Sequence, residues 1–440
     1  MRSLKRKRVP GRGLDGLRQR EVGDIAPRNF EHLVAASEDL VLKLGIHRKL
    51  EKHGGCVNTL SFNADGSIIV TGSDDRTVIL WDWDAGLIKL EFESGHSRNV
   101  LQAQMMPCTN DRALVTCGAD GEVRHAQVLE GGQVNTQVLS QHEGRAHKIA
   151  VEPGSPHTFY TCGEDGLLQH FDLRTKSAAK LFICNSFRDR SDYMPVISLY
   201  TIAIDPRNPN LFAIGGSDEY ARVYDIRKYG LDGSTNSGHP TDCFCPVHLI
   251  GDRQVGISGL AFSDISELLV SYNDELIYLF SKDQGLGPKP VDKYLNCTVE
   301  GNVEDSNAKH EPQVYRGHQN RDTLKGVRFF GPKCEYVASG SDCGSIFIWR
   351  KRDGRLLRVI EGGKCVVNCV EPHPHETVLA SSGVENDVKI WTPTAFEPPS
   401  PVNVGEFRMP DRLDYCVIAP YDGDEDDIDG VDCDDNYDDS

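Results

Sequence analysis

One sequence frame recurs seven times along the chain, and this repetition constrains the fold more than any other feature. Each copy reads as a short apolar strand, a tight turn rich in Asp and Gly, and a second strand that usually ends in an aromatic residue. The copies are VTGSDDRTVILWDWD (70–84), VTCGADGEVRHAQV (115–128), YTCGEDGLLQHFDLR (160–174), AIGGSDEYARVYDIR (213–227), VSYNDELIYLFSKD (270–283), ASGSDCGSIFIWRKR (338–352) and SSGVENDVKIWTP (381–393). Their turns lie 43 to 68 residues apart. A period of this length predicts a repeat architecture built from one supersecondary unit.

Additional apolar runs complete each repeat unit. Runs such as VNTLSF and GISGLAF precede the frame, and strand-like pieces such as IKLEFES follow it. Four short strands per unit and the Gly-His…Trp-Asp punctuation resemble the WD40 repeat. We therefore predict an all-β fold, a seven-bladed WD40 β-propeller over residues 46–395.

The best-matching unit contains side chains that can hold its strands together. His53, Thr71, Asp74 or Asp75, and Trp81 can form one chain of hydrogen bonds within the unit. A buried polar network stabilises a fold when every member is paired. This network predicts a structural role for His53, and the Gly-His pairs at His96 and His318 are interpreted in the same way.

The segment before the first unit predicts how the ring closes. The seventh frame supplies only three strands, whereas IHRKLEKH (46–53) is a strand-like piece without a unit of its own. We expect it to form the outer strand of the seventh blade, because this leaves no unpaired gap in the ring. Residues 28–45 before it have apolar side chains at helical spacing, including Phe30, Leu33 and Leu40. This predicted helix either covers the propeller or offers its apolar stripe to a partner.

The two ends of the chain carry opposite charge. The net charge is −18, and residues 421–440 alone hold eleven acids and no base. We predict a disordered acidic tail there after an extension over 396–420, and a basic disordered N-terminus over 1–27. The run of Lys5, Arg6, Lys7 and Arg8 predicts a nuclear-import signal, with a solubilising terminus as the alternative. The scattered cysteines and the lack of a long apolar run predict a nuclear and cytoplasmic protein that does not enter membranes.

Two consecutive frames end in the same way, in aromatic-Asp-aliphatic-Arg. Asp172 and Arg174 close the third frame, and Asp225 and Arg227 close the fourth. Strand alternation places Asp and Arg on the side opposite the apolar residues. A surface Asp–Arg pair contributes little to stability, but two in neighbouring blades predict an interaction surface, because Arg is enriched at interface hot spots.

These tandem ends resemble a known family. Trp-Asp-x-Arg endings on consecutive WD40 blades mark the DDB1- and cullin-4-associated factors, the substrate receptors of the cullin-4 RING ubiquitin ligases, and the similarity covers residues 28–395. The resemblance implies that Arg174 and Arg227 dock on a DDB1-type adaptor, with Asp172 and Asp225 orienting them. It also implies that the helical segment with Phe30, Leu33 and Leu40 enters the adaptor. Both endings depart from the family motif, since Phe171 and Tyr224 stand in place of Trp.

Other functions are less favoured by the sequence. Cys365, Cys369, His373 and His375 are candidate zinc ligands, but an extended strand holds residues four apart too far from one another for one ion. No P-loop, nucleophile elbow or HExxH motif is present, so we expect neither an enzyme nor a cofactor or metal. The alternative function is a scaffold in a nuclear chromatin or RNA-processing complex, although nucleic-acid binding is not favoured by the acidic tail. The client protein is unknown, and we expect it on the face opposite the adaptor, with the long loops of 228–254 and 284–312.

Overall fold

A computed structural model describes residues 12–175, 177–187, 195–229, 238–290, 311–321 and 323–395. The basic run Lys5–Arg8, the extension over 396–420 and the acidic tail lie outside these ranges. Among the described residues, no helix combines the length and the apolar character needed to cross a bilayer.

Seven antiparallel sheets of four strands each form the blades of the propeller, which confirms the predicted fold and strand count. Blade 1 consists of β2 (Val57–Phe62), β3 (Ile68–Ser73), β4 (Thr77–Asp82) and β5 (Leu87–Glu93). Blade 2 consists of β6 (Val100–Met105), β7 (Ala113–Gly118), β8 (Glu122–Val128) and β9 (Val134–Gln141). Blade 3 consists of β10 (Ala146–Val151), β11 (Thr158–Gly163), β12 (Leu167–Asp172) and β13 (Ser177–Ile183). Blade 4 consists of β14 (Leu199–Ile204), β15 (Leu211–Gly216), β16 (Ala221–Asp225) and β17 (Asp242–Phe244).

The remaining blades follow the same plan. Blade 5 consists of β18 (Ile257–Phe262), β19 (Leu268–Tyr272), β20 (Ile277–Phe280) and β21 (Gln313–Tyr315). Blade 6 consists of β22 (Val327–Phe330), β23 (Tyr336–Ser339), β24 (Ser345–Arg350) and β25 (Leu356–Glu361). Blade 7 consists of β26 (Val367–Pro372), β27 (Leu379–Gly383), β28 (Asp387–Pro393) and, from the N-terminal side of the chain, β1 (Leu44–Glu51).

The ring closes through β1, as predicted. This strand pairs antiparallel with β28, with Leu50 opposite Val388, and becomes the outer strand of blade 7. The first strands of neighbouring blades contact each other all around the ring, including those of blades 1 and 7. The two ends of the repeat array are therefore joined by a strand ladder, which protects the edges that an open ring would expose.

The core lies between the blades, because each sheet is covered on both of its faces. In β4, Ile79 and Trp81 pack towards blade 7, whereas Val78 and Leu80 pack towards blade 2. Successive side chains of a strand point to opposite faces, so one strand contributes to two neighbouring clusters. This two-sided burial explains why the blade strands read as nearly continuous apolar runs.

The two faces of the disc carry different connections. One face, called here the Asp-Arg face, carries the turns between first and second strands and between third and fourth strands. The opposite face carries the turns between second and third strands and the connections from blade to blade. Asp172 and Asp225 end the third strands of blades 3 and 4 and therefore lie on the Asp-Arg face.

The predicted helical segment over 28–45 is present and is divided into two short helices. The structure has three short helices, α1 (Arg12–Glu21), α2 (Pro27–Ala35) and α3 (Glu38–Leu42), so helix begins within the segment predicted to be disordered. The backbone is extended at Ser37, with ψ of 122°, which separates α2 from α3. Leu44 already belongs to β1, and it is buried with Val41 in the core beside blades 6 and 7.

The expected position of the long loops, opposite the adaptor site, falls in part on residues outside the described ranges, and the described ends of these loops are divided between the two faces. The insertion over 284–312 leaves the third strand of blade 5 and returns to its fourth strand, so its two described ends lie at the Asp-Arg face. The insertion over 228–254 is divided by β17, and only the part after this strand lies on the opposite face. The strand β17 is only three residues long, so the apolar pattern of the chain does not indicate it.

Candidate interaction surface

The two Asp-x-Arg endings adopt the same side-chain geometry. In blade 3, Arg174 donates from Nε to Asp172 Oδ1 at 3.0 Å and from Nη2 to Asp172 Oδ2 at 2.7 Å. In blade 4, Arg227 donates to Asp225 in the same bidentate way, at 2.9 and 2.7 Å. The backbone N–H of each arginine also donates to its aspartate, at 2.9 and 3.1 Å. Each aspartate thus fixes both the turn after the strand and the direction of the guanidinium group.

The arginine side chains are open to solvent, whereas their aspartate partners are mostly covered. Arg174 and Arg227 are 67% and 64% exposed, whereas Asp172 and Asp225 are 23% and 12% exposed. The aspartates use the Nε and Nη2 edge of each guanidinium, and the structure gives Nη1 no hydrogen-bond partner among the described residues. Two oriented cations with a free donor edge therefore project from neighbouring blades of one face.

The aromatic residues that replace Trp in these endings are part of the core. Phe171 stacks on Phe159 at 4.5 Å between ring centroids, and Tyr224 stacks on Phe182 at 4.6 Å. Phe171 and Tyr224 are almost fully buried. Because these rings pack inward, the departure from Trp does not alter the surface that Arg174 and Arg227 present.

Ion pairing keeps both aspartates charged. Hydrogen bonds from Arg174 lower the pKa of Asp172 to about 2. Hydrogen bonds from Arg227 lower the pKa of Asp225 in the same direction. A carboxyl group with a depressed pKa stays ionised throughout the neutral range, so the orientation of both arginines is maintained there.

Other blades do not repeat the pair at this register. Blade 1 has Asp82 and Asp84, two acids, and blade 6 has Arg350 and Arg352, two bases. Arg350 reaches Glu38 of α3 with contacts of 2.7 and 3.2 Å and also bonds Asp353. In blade 6 the arginine at the aspartate position therefore anchors the helical segment to the propeller.

The helical segment lies on the Asp-Arg face over blades 6 and 7. Tyr336 Oη donates to Ala36 O at 2.9 Å, and Thr377 Oγ1 donates to Ala35 O at 3.1 Å. Arg358 donates to the carbonyl groups of Leu42 and Leu44. In a ring of seven, blades 3 and 4 lie across the disc from blade 7, so the helices and the two Asp–Arg pairs occupy opposite sectors of one face.

The predicted contact residues of the helical segment differ in exposure. Leu33 is 39% exposed, and Phe30 and Leu40 are half-buried. The guanidinium of Arg20 in α1 lies 5.1 Å from the ring centroid of Phe30 in α2, so the two helices contact each other. Their role in binding a partner remains a prediction.

The predicted network around His53 is present. His53 Nδ1 lies 2.9 Å from Asp75, and its Nε2 lies 2.7 Å from Thr71 Oγ1, to which Trp81 Nε1 donates at 3.0 Å. Asp75, rather than Asp74, is the partner, because Asp74 accepts from Asn58. His96 with Asp120 and Thr116, and His142 with Asp165 and Thr161, form the same arrangement in blades 2 and 3.

His318 departs from this arrangement. Cys343 occupies the position of Asp75 in blade 6, and neither ring nitrogen of His318 has a hydrogen-bond partner among the described residues. Burial lowers the pKa of His318 to about 3, so the ring is neutral. Its contact with the Trp349 ring, at 5.8 Å between centroids, is consistent with a packing role.

The candidate metal ligands are engaged elsewhere. His373 Nε2 lies 3.1 Å from Gly66 O, and His375 Nε2 lies 3.0 Å from Ala64 O, so both rings bridge blade 7 to blade 1. One acidic set with ligand spacing, His96, Asp120 and Glu122, occurs in the described part of the chain, but its histidine belongs to the blade 2 network. None of the cysteines that the structure describes forms a disulfide.

Two ion pairs were not found from the sequence. The pair of Arg350 with Glu38 joins residues 312 positions apart, and no local pattern indicates it. Arg222, which is buried, makes a bidentate pair with Asp218 at 2.8 and 2.5 Å beneath the ring of Phe187. It takes the position of Ile79 in the repeat, where blades 2 and 7 also have a cationic side chain, Arg124 and Lys389.

Comparisons with known proteins agree with the repeat. The WD domain, G-beta repeat (WD40) matches residues 46–82, 310–350 and 354–392. Each match begins with the outer strand of one blade and continues into the first three strands of the next blade. The same division of the sequence repeat between two blades places β1 in blade 7 and closes the ring. The first three strands of blades 2 to 5 lie between these matched ranges, and all four blades lack the tryptophan at the strand end.

Longer similarities join the chain to curated proteins. It is 32% identical to DDB1- and CUL4-associated factor 6 of Homo sapiens, over 60% of this chain and 31% of that protein. It is 30% identical to Protein ALTERED SEED GERMINATION 2 of Arabidopsis thaliana, over 64% of this chain and 42% of that protein. WD and tetratricopeptide repeats protein 1 of Homo sapiens is 29% identical, over 85% of this chain and 88% of that protein. The chain thus spans less than half the length of the first two relatives.

Proposed function

We propose that this propeller is a non-catalytic substrate receptor that docks, through its Asp-Arg face, on a DDB1-type adaptor of a cullin-4 RING ubiquitin ligase. The observation that carries the proposal is the pair of identical, bidentate Asp–Arg arrangements on adjacent blades, with both arginines exposed. The name of the related DDB1- and CUL4-associated factor 6 supports the choice of partner.

The geometry of each pair suits recognition more than stability. An exposed ion pair adds roughly 0–1 kcal/mol to folding, so two such pairs contribute little to the propeller itself. A guanidinium held in one orientation loses less side-chain entropy when it binds, which favours association. In this proposal Asp172 and Asp225 position Arg174 and Arg227, and the free Nη1 edges donate to acceptors of the adaptor.

The helices supply a second, apolar contact on the same face. Leu17 and Val22, in and after α1, are 42% and 71% exposed, and Leu33 in α2 is 39% exposed. Exposed apolar side chains on a helix pair suit insertion into a groove of a partner. Phe30 and Leu40 flank this surface, and the pair of Arg350 with Glu38 holds it against the propeller.

Finer assignments follow from the resemblance. We further propose that the chain corresponds to the DDB1- and cullin-4-associated factor numbered eight in the series, because residues 53–83 and the segment YDIRKY resemble it. The basic run of Lys5, Arg6, Lys7 and Arg8 supports a protein that enters the nucleus as well as residing in the cytoplasm. The client protein would bind surfaces that the adaptor leaves free.

Pull-down of the purified adaptor tests the proposal. The full chain is compared with Arg174→Ala/Arg227→Ala, and Arg352→Ala serves as the matched control, because Arg352 occupies the same register in blade 6 and is 76% exposed. We expect the double variant to lose the adaptor and the control to retain it, with unchanged circular dichroism in all three.

Failure of the wild type to bind the adaptor would contradict the receptor function. A scaffold in a chromatin or RNA-processing complex would then be examined through nucleic-acid binding, which should weaken steeply with salt and require residues 1–20.

A further inference from the structure

A polar cleft separates blades 2 and 3 on the Asp-Arg face. Its volume is about 430 Å³, and Arg112, His125, Gln127, Asn135, Gln137 and His157 line it. Leu173, the residue between Asp172 and Arg174, forms part of its wall and donates its backbone N–H to His157 O at 3.0 Å. The cleft is therefore next to the arginine of blade 3.

Polar residues at apolar positions create the cleft. In blade 1, the cross-strand pair of Leu80 and Leu90 packs against blade 2. At the same register in blade 2, the pair is His125 and Gln137, and the next pair on this side is Gln127 and Asn135. Amide groups are costly to bury without hydrogen-bond partners, and the side chains of Gln127, Asn135 and Gln137 are exposed, so this part of the blade interface stays open to solvent.

The charge of the residues that line the cleft indicates which class of ligand it could bind. None of the ten lining residues is acidic, whereas Arg112 and two histidines are basic. Arg112 lies 4.0 Å from Glu130, but the two side chains are 55% and 92% exposed, and such a pair is weak. An arginine forms bidentate hydrogen bonds with carboxylates, and neighbouring amide side chains can bond peptide groups.

From these observations we infer that the cleft binds an acidic segment of a partner protein, with an Asp or Glu carboxylate on Arg112. The amides of Gln127, Asn135 and Gln137 make no hydrogen bond to the described residues, and they are available to the peptide backbone of this segment. This inference does not depend on adaptor docking, since the cleft and its charge exist in the chain alone.

Fluorescence anisotropy tests the inference without any adaptor. The full chain is titrated into a short fluorescein-labelled peptide of alternating Asp and Gly residues. A peptide of the same length, in which Asn replaces every Asp, is the neutral control. We expect Arg112→Ala to weaken binding by about tenfold or more, because it removes a charge-assisted hydrogen bond. Arg253 is an exposed arginine of the connection between blades 4 and 5, and Arg253→Ala should change the affinity for the peptide by less than about twofold.

A second variant separates loss of the site from loss of the fold. His125→Leu/Gln137→Leu rebuilds the leucine pair of blade 1 within blade 2, so it should fold normally yet abolish binding. A chain in which the acids of 421–440 are replaced by Asn removes competition from the chain's own acidic segment. The inference is overturned if peptide binding does not depend on Arg112 in either the wild type or the variant with the neutralised acidic segment. It is also overturned if the neutral peptide binds as tightly as the acidic peptide.

Discussion

The substitution Asp172→Ala separates positioning of Arg174 from its contact with a partner. Asp172 accepts three side-chain contacts from the guanidinium, at 2.7 to 3.2 Å, and one from the backbone N–H at 2.9 Å. All of these are lost in the variant, but Arg174 itself remains. The variant therefore measures how much the fixed orientation of the Arg174 guanidinium contributes to binding.

The expected magnitudes differ for folding and for binding. Because Arg174 is 67% exposed and its ion pair is screened by solvent, loss of the pair should leave the free energy of unfolding almost unchanged. An arginine that must be ordered on binding costs about 0.5–1.5 kcal/mol, so affinity for the adaptor should fall about two- to tenfold. Arg174→Ala removes the contact itself and should cost about 2 kcal/mol or more, roughly thirtyfold.

Isothermal titration calorimetry of the adaptor, together with thermal unfolding of each variant, measures both quantities. Asp172→Asn, which keeps the size of the side chain but loses its charge, should fall between wild type and Asp172→Ala. Wild-type affinity in Asp172→Ala would refute the positioning role. A large loss of thermal stability would instead assign Asp172 to the fold.

Three further predictions concern the propeller and its helices. Arg222→Ala should lower the free energy of unfolding by about 3–5 kcal/mol in denaturant titrations, because it leaves the Asp218 carboxylate unpaired, whereas exposed Arg253→Ala should have little effect. His53→Ala should lower the free energy of unfolding by about 2 kcal/mol or more, because the bonds of His53 to Asp75 and Thr71 are lost. His318→Leu should leave it nearly unchanged, since His318 has no hydrogen-bond partner among the described residues, and equal losses in the two variants would contradict the assigned roles. Arg350→Ala should speed proteolytic cleavage within residues 12–43 while leaving thermal unfolding of the blades almost unchanged, because it releases Glu38 of α3; an unchanged cleavage rate would show that the other contacts suffice.

Features that repeat, or that depend on neighbours along one strand, were predictable from the sequence. The seven frames predicted the blades, and the missing fourth strand of the last unit predicted the position of β1. Strand alternation predicted that Asp172 and Arg174 leave the core while Phe171 enters it. These inferences succeed because the period of a strand and the period of the repeat are fixed by backbone geometry.

Features that join distant parts of the chain were not predictable. The contact of Glu38 with Arg350 sets the place of the helices, yet no periodicity links the two residues. The polar cleft depends on His125 and Gln137 standing opposite each other across β8 and β9, which requires the register of the hairpin. The division of the insertion over 228–254 between the two faces depends on the three-residue strand β17, whose signal is too short to recognise.

The affinity of the full chain for the purified adaptor, measured by calorimetry for wild type and for Arg174→Ala/Arg227→Ala, tests the central claim most directly. The account predicts specific binding by the wild type and a loss of about a hundredfold or more in the double variant, because two oriented hot-spot arginines are removed. An affinity of the folded double variant within about twofold of wild type would contradict it, since changes of that size are typical of substitutions outside an interface hot spot.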